Sequence, residues 1–246
     1  MKHVHFVGIG GAGLSALARV MLARGWRVSG SDRERSTRTA ALEEAGATIY
    51  LGHSAEWIAD ADVVVISSAI PADNPERLAA EATGIPVLKR DRWLSEMTQD
   101  AALVAVAGTH GKSTTSALIT LMLANAGLDP TAIIGAEVPQ LGGNARVGNS
   151  HLFVIEADEY DHTFLGLYPH IAVVLNVEHD HPDIFPDDDA VQAAFRRFLQ
   201  QVRHDGAIVA CTDDAGVRAV LRDLQSRVPV VKYGFDEGAE WRAGGL

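Results

Sequence analysis

"VAVAGTHGKSTTSALI", residues 104–119, decides how the rest of the chain is read. An apolar strand runs into a glycine turn, and a lysine, a run of hydroxyl residues and an apolar helical pattern follow. Strand, glycine turn and helix in that order bring backbone N–H groups and a helix N-terminus to one point, which suits an anion such as phosphate. The common phosphate loop, G-x-x-x-x-G-K-[ST], has a glycine where this chain has Val106. The loop is shorter here, and His110 sits inside it. Gly108, Gly111, Lys112 and Ser113 still keep its working end, and Thr114 and Thr115 lie in the first turn of the helix. Lys112 can reach the outer phosphates of a nucleotide, and the Ser113 hydroxyl can sit on Mg²⁺. The competing reading is a glycine turn with a solvated lysine.

Outward from that loop, apolar strands alternate with helical patterns along the chain, the mark of parallel βαβ units and an α/β fold. Strands are expected at 3–7, 27–31, 47–50, 62–67 and 85–88, with helices at 12–24, 36–45 and near 74–83. The alternation restarts with strand 103–107 and helix 113–126. Strands 152–157, 171–177, 207–211 and 229–233 and helices 188–203 and 214–226 follow. Helix 188–203 is amphipathic, with Val191, Phe195, Phe198, Leu199 and Val202 on one face. Residues 134–150, rich in glycine, read as hairpins or loops. A boundary near residue 100 divides the chain into domains 1–100 and 101–246. The tail from Phe235 shows no obvious final element, which suggests a piece of something longer.

Bulk composition narrows the partners. The chain has 246 residues with a net charge of -11 and no basic stripe to neutralise a phosphodiester backbone, so nucleic acid is an unsuitable main partner. No apolar run reaches the roughly 18 residues of a membrane span, and the N-terminus reads as a strand instead of a signal peptide. A single cysteine, Cys211, cannot form an internal disulfide, which fits the cytoplasm; it is expected to be a small buried apolar residue.

A second glycine loop opens the chain. "VGIGGAG" sets Gly8, Gly10 and Gly13 in G-x-G-x-x-G register, between a strand and a helix. Asp32 ends the next strand, where a carboxylate can accept from ribose hydroxyls. On these features alone a nicotinamide or flavin dinucleotide fits, and so does another nucleotide diphosphate. Two such loops on successive α/β units make a plain dehydrogenase a poor fit.

The remaining chemistry lies where two strands end. "LFVIEADEYDH" runs out into Glu156, Asp158, Glu159 and Asp161, and "IAVVLNVEHDHPDIF" into Asn176, Glu178, His179, Asp180, His181 and Asp183. Ligands of open parallel sheets bind outside the carboxyl ends of strands. Carboxylates there can hold Mg²⁺, and His179 or His181 can add a ligand. Glu159, Asp161 and Asp183 are expected to be solvated or capping, and one of the two histidines an ordinary loop residue. A zinc hydrolase with an H-x-H pair would need a further histidine, and the only later one, His204, falls in a predicted helix.

Together, "VGIGGAGLSALA", "SSAIPADNPE" (67–76), "GTHGKSTT", "EADEYD" (156–161) and "NVEHDHPDIF" (176–185) resemble the Mur ligase family, the ATP-dependent amide-forming enzymes of peptidoglycan assembly. That family's loop looks like G-T-H-G-K-[ST]-T, which accounts for Val106. The resemblance implies a Rossmann-like N-terminal domain for a uridine-diphosphate substrate, followed by an incomplete P-loop-type central ATP domain. A C-terminal amino-acid domain would lie beyond this chain, which alone should bind ligands weakly and turn over little. It implies ATP and Mg²⁺ as cofactors, with UDP-N-acetylmuramate and L-alanine as substrates of the full-length enzyme. Re-attachment of a recycled tripeptide is the alternative activity. The uninterrupted run from "EADEYD" through "HTFLGLYPHIAVV" favours the alanine reaction.

On the same resemblance, Gly8, Gly10, Gly11, Gly13, Asp32 and Ser68 frame the uridine diphosphate, and Asn144 and Arg146 meet the sugar-phosphate part or form a solvated loop. Lys112 serves the β- and γ-phosphates, Ser113 and Glu156 a first Mg²⁺, and His181 a second. The loop Gly108, Thr109, His110, Gly111, Lys112, Ser113 and Thr114 is implied as the ATP site, and His110 contacts the substrate carboxylate or phosphate. Leu14, Ser113 and Pro182 replace residues more usual in the family. Arg196 and Arg197 stand on a helix where several relatives use a carbamylated lysine to hold metal.

Overall fold

The protein is described by a computed structural model over residues 1–244; the side chain of Asp161 also lies outside the described residues. Its contacts separate two units, Met1–Trp93 with Gly135–Val147, and Leu94–Ile134 with Gly148–Leu246.

The first sheet contains β1 (His3–Val7), β2 (Arg27–Asp32), β3 (Thr48–Leu51), β4 (Val63–Ile66) and β5 (Val87–Lys89). Their order is β3-β2-β1-β4-β5, with every neighbouring pair parallel. Parallel strands need helical crossovers and are covered on both faces, so they read as continuous apolar runs. All five residues of β1 and all four of β4 are buried. Helices α1 (Ala12–Ala23), α2 (Thr37–Glu44) and α3 (Pro75–Thr83) make the crossovers. Ser36 begins α2 with a reciprocal capping box to Thr39. Asn74 begins α3 by accepting from the N–H groups of Glu76 and Arg77, with Pro75 at the first helical position.

The second sheet contains β6 (Ala102–Ala107), β7 (Thr131–Val138), β8 (Gly143–Arg146), β9 (Leu152–Glu156), β10 (Ile171–Val174), β11 (Ala207–Cys211), β12 (Val230–Gly234) and β13 (Trp241–Arg242). Its order is β13-β12-β11-β10-β6-β9-β7-β8, parallel from β13 to β7. Helices α5 (Lys112–Asn125), α6 (Asp188–Gln200) and α7 (Ala215–Arg222) belong to the second unit. The apolar face expected on α6 is its core: Val191, Phe195, Phe198 and Leu199 are at most 2% exposed. Phe164 stacks on Phe198 and meets Phe195 edge-on.

In the first sheet the chain runs outward from β1 through β2 and β3 and then crosses to β4 and β5. In the second it passes from β6 to β7 and β8, returns to β9 beside β6, and crosses to β10. The switch points therefore lie between β1 and β4 and between β6 and β10. Those switch points open crevices at the carboxyl ends of the strands. One glycine loop follows β1 and the other follows β6.

Several local expectations are revised. Residues 90–102, left without an element, contain helix α4 (Arg90–Thr98). The glycine-rich stretch keeps the expected hairpin: a long strand and a second strand pair across a short 3-10 turn. The tail forms β13 by pairing beside β12. Helix α6 stops at Gln200, so His204 lies in a turn. Cys211 is half-buried and lies beside Tyr233, whose hydroxyl is pushed up to about 12 by burial and, secondarily, by Cys211. Among the described residues no helix is long and apolar enough to cross a membrane.

Candidate functional site

In the first unit, the loop after β1 turns on Gly8, at φ +86°. Gly8 and Ile9 both donate their N–H groups to the Ser31 carbonyl at 2.8 and 3.0 Å. Gly11 donates back to Gly8 and becomes the N-cap of α1. Asp32 was expected to face a ribose; here its carboxylate accepts from the Gly10 N–H at 2.8 Å. One carboxylate oxygen thus shapes the loop itself. A Cβ on Gly10 would stand 2.9 Å from that oxygen, so a larger residue there must disturb both. Gly13 faces Arg90, with the guanidinium 2.5 Å from where a Cβ would be. Arg90 brings fixed positive charge to the loop's edge, and sequence reasoning passed over it because it stood in a stretch without an assigned element.

The other first-unit candidates divide. Ser68 is exposed, whereas Ser67 lies against Gly8. Asn144 is buried and donates its amide to the Ala12 carbonyl at 2.9 Å and to Ser15 Oγ at 3.3 Å, so it is not the solvated loop residue that was the alternative. Arg146 is half-buried at the end of β8.

Below the loop lies a polar cluster that the sequence did not reveal. Glu76, fully buried, accepts from Ser31 Oγ at 2.6 Å, and His53 Nδ1 stands 3.4 Å away. His5 Nε2, also buried, is 3.7 Å from the same oxygen, beyond hydrogen-bond distance, so that pair is electrostatic. Burial works to raise the Glu76 carboxyl, but interactions with His5, Ser31 and His53 outweigh it and hold the group below its ordinary value of 4.5. A depressed carboxyl stabilises the fold above its unfolded pKa, and that stability is lost as pH falls through the folded one. Melting temperature followed from pH 7 downward should therefore fall less steeply below about pH 4.5 in Glu76→Gln than in the parent. Equal slopes on the acid side would refute that role.

In the second unit the phosphate-loop residues form one continuous structure. Gly108 adopts φ +148° and Gly111 φ +83°, both in the region that favours glycine. Gly108 packs so closely that a Cβ would lie 3.0 Å from Leu175 Cβ and 3.2 Å from the Asn176 backbone. Asn176 secures the loop from the end of β10: its Oδ1 accepts from His110 N at 2.7 Å and its Nδ2 donates to the His110 carbonyl at 3.1 Å. Thr109 Oγ1 accepts from Glu178 N at 2.9 Å. The His110 ring is exposed and 3.7 Å from the Glu178 carboxylate. Lys112 to Thr114 form the first turn of α5, with Thr114 exposed.

Two carboxylates converge on this turn. Ser113 Oγ donates to Glu156 at 2.9 Å. Lys112 Nζ donates to both oxygens of Glu159, at 2.9 and 3.1 Å, and to the carbonyls of Gly108 and Thr109 at 2.6 and 3.3 Å. The Glu159 side chain is only 3% exposed and makes no capping bond to the 3-10 turn it precedes, which corrects the expectation of a solvated or capping residue. Burial pushes its carboxyl up, and the bond to Lys112 only partly opposes that.

Ser113 and Glu156 present hard oxygen donors side by side, a donor set that fits Mg²⁺. His181 engages elsewhere: it stands at φ +56°, its N–H donates to Asp180, and its ring meets Tyr160 edge-on at 5.0 Å. Among the described residues no three of His, Cys, Asp or Glu gather as a metal cluster. His179 makes the ordinary loop bond expected of one of the pair, to the Phe185 carbonyl at 2.9 Å.

Two glycine loops, each at the switch point of its own parallel sheet, define an α/β protein with two turns of the kind that suit phosphate. Two family models match the chain: the Mur ligase family catalytic domain over residues 3–102 and the Mur ligase middle domain over residues 106–246. The chain belongs to the Mur ligase family. It is 53% identical to a UDP-N-acetylmuramate–L-alanine ligase of Frankia casuarinae, over 98% of this chain and 51% of that protein. With the ligase of the same name from an Arthrobacter species it shares 51% identity, over 98% of this chain and 52% of the relative. The chain thus spans about half the length of the curated relatives it matches. The solved UDP-N-acetylmuramate:L-alanyl-γ-D-glutamyl-meso-diaminopimelate ligase of Neisseria meningitides superposes with a TM-score of 0.91 at 33% identity, covering 100% of this chain and 81% of that one. The UDP-N-acetylmuramate-alanine ligase of Thermotoga maritima gives 0.83 at 29%, covering 95% and 53%. Family membership replaces the dinucleotide oxidoreductase reading of the first loop.

Proposed function

We propose that this chain carries the nucleotide-handling part of a cytoplasmic, ATP- and Mg²⁺-dependent ligase that joins L-alanine to the lactyl carboxylate of UDP-N-acetylmuramate for cell-wall precursor synthesis. The observation that carries the proposal is the loop at 108–114, with Lys112 and the Ser113–Glu156 pair held together at its mouth. Identity of 53% to a relative named for the alanine reaction favours it over re-attachment of a recycled tripeptide. The division into a uridine-diphosphate domain, 1–100, and an ATP domain, 101–246, belongs to the same proposal.

In this reading the lactyl carboxylate attacks the γ-phosphorus of ATP, and the bond to the bridging oxygen breaks to release ADP. The alanine amine then attacks the acyl carbon of the acyl phosphate and loses a proton, and inorganic phosphate leaves. Two anions must approach, so positive charge at the transferring group is the main requirement. Lys112 supplies it from the chain at the β- and γ-phosphates, and the N–H groups of Gly111 to Thr114 surround the oxygens. Mg²⁺ would be held by Ser113 and Glu156 and would supply further neutralisation of phosphate charge. The assignments of His181 to a second ion and of His110 to the substrate rest on the family resemblance. Gly8, Gly10, Gly11 and Gly13 would cradle the uridine diphosphate beside Arg90, with Asp32 and Ser68 at the edge. Arg146 and Asn144 would border the sugar-phosphate part, Asn144 by fixing the start of α1.

Calorimetric titration with UDP-N-acetylmuramate, with NAD⁺ alongside, tests the first half. The expected outcome is binding of the uridine nucleotide alone, lost in Gly10→Val. Preference for NAD⁺ would overturn the reading.

A further inference from the structure

The lysine that the proposed chemistry needs is already fully occupied. An ammonium has three hydrogens to donate. Lys112 Nζ stands within hydrogen-bond distance of the Gly108 carbonyl, the Thr109 carbonyl and both oxygens of Glu159. Two of these acceptors belong to the loop backbone, which the Asn176 and Glu178 contacts hold in place. Only the carboxylate of Glu159 belongs to a side chain, and it reaches Lys112 from beyond the end of β9.

A phosphate oxygen arriving at Lys112 must therefore take over a donor now given to Glu159. We propose that Glu159 is a displaceable counter-ion, a positioning residue that occupies the phosphate's place on Lys112 and sets how tightly the loop takes a nucleotide. The inference rests on the reading of 108–114 as an ATP site. Its chemistry is an exchange of partners: the Lys112–carboxylate bond gives way to a Lys112–phosphate bond, and the ammonium stays charged throughout. Glu159, almost without solvent, resists being left beside a second anion. Every nucleotide that binds must meet that cost, so the carboxylate lowers affinity while it keeps Lys112 aimed at the loop's mouth. A side chain that only held the structure together would have the opposite signature, since its loss would weaken binding.

The test is titration of the 246-residue chain with MgATP, in the parent and in Glu159→Gln, with thermal melts of both. The amide keeps the size of the side chain and removes its charge. MgATP is expected to bind about tenfold more tightly to the variant, the factor that corresponds to losing one charge-assisted competitor. Unchanged or weaker binding by a folded variant would overturn the proposal and leave the ATP reading standing. No MgATP binding by either protein, when both melt cooperatively, would overturn the ATP reading and this inference with it. If the amide variant does not fold, Glu159→Asp retains the charge and shortens the reach by one methylene. It should shift affinity in the same direction by a smaller factor, and no gain there overturns the proposal.

Discussion

Replacing Lys112 by alanine should weaken MgATP binding by about two orders of magnitude, because a charge-assisted bond to phosphate is worth roughly 1.5–3 kcal/mol and here no other ammonium stands in the loop. The same change leaves Glu159 as a buried carboxylate without its cation. Breaking a buried pair from one side costs about 3 kcal/mol of stability, so the melting temperature should fall as well. The two effects separate in the double variant Lys112→Ala with Glu159→Gln. It should regain most of the lost thermal stability, but only the small part of the nucleotide affinity that removal of the Glu159 charge returns. In a complete ligase carrying Lys112→Ala, turnover should drop roughly a hundredfold or more, the usual cost of removing one transition-state stabiliser. Normal turnover there would dismiss Lys112 from the chemistry.

The second large effect is expected at Gly216, far in sequence from either glycine loop. It lies in the first turn of α7, and a Cβ there would be driven into the carbonyl oxygen of Val177. Neither neighbour can yield easily, since Asp214 Oδ1 accepts from both Val217 N, at 2.7 Å, and Val177 N, at 3.1 Å. Gly216→Ala should cost about 3 kcal/mol through forced backbone displacement. For a chain of this size that is a fall of roughly 10 °C in melting temperature. Val177 leads into the segment with Glu178, His179 and His181, so nucleotide affinity should suffer too. Gly238, where a Cβ meets nothing within 4 Å, is the control, and Gly238→Ala should melt like the parent. If the two variants melt alike, the close packing of α7 on Val177 is wrong.

Much of the α/β framework was legible because parallel sheets write themselves plainly: β4 and β6 are apolar runs followed by serine or glycine, and β1 keeps three apolar residues between and after its two histidines before Gly8. The elements that escaped lack such a signal. Helix α4 begins directly after β5, and its residues do not form a clear apolar stripe. Strand β13 is two residues long and exists through its pairing with β12. In the site, both glycine loops followed from local pattern, and the pairing of Ser113 with Glu156 from the family resemblance. Glu159 did not, because four acidic residues lie within six positions and only the turn at Tyr160–Gly166 decides which one faces Lys112. Asn144 and Glu76 were equally opaque: each is polar in sequence and buried by partners more than forty residues away.

The return of Gly135–Val147 to the first unit bears on how the protein is made. Domains usually take shape in the order in which they leave the ribosome. Here Asn144, which fastens Ala12 and Ser15 at the start of α1, is synthesised only after the whole of β6 and α5. The nascent N-terminal half therefore waits, with that helix end unfinished, while the second loop is already being translated.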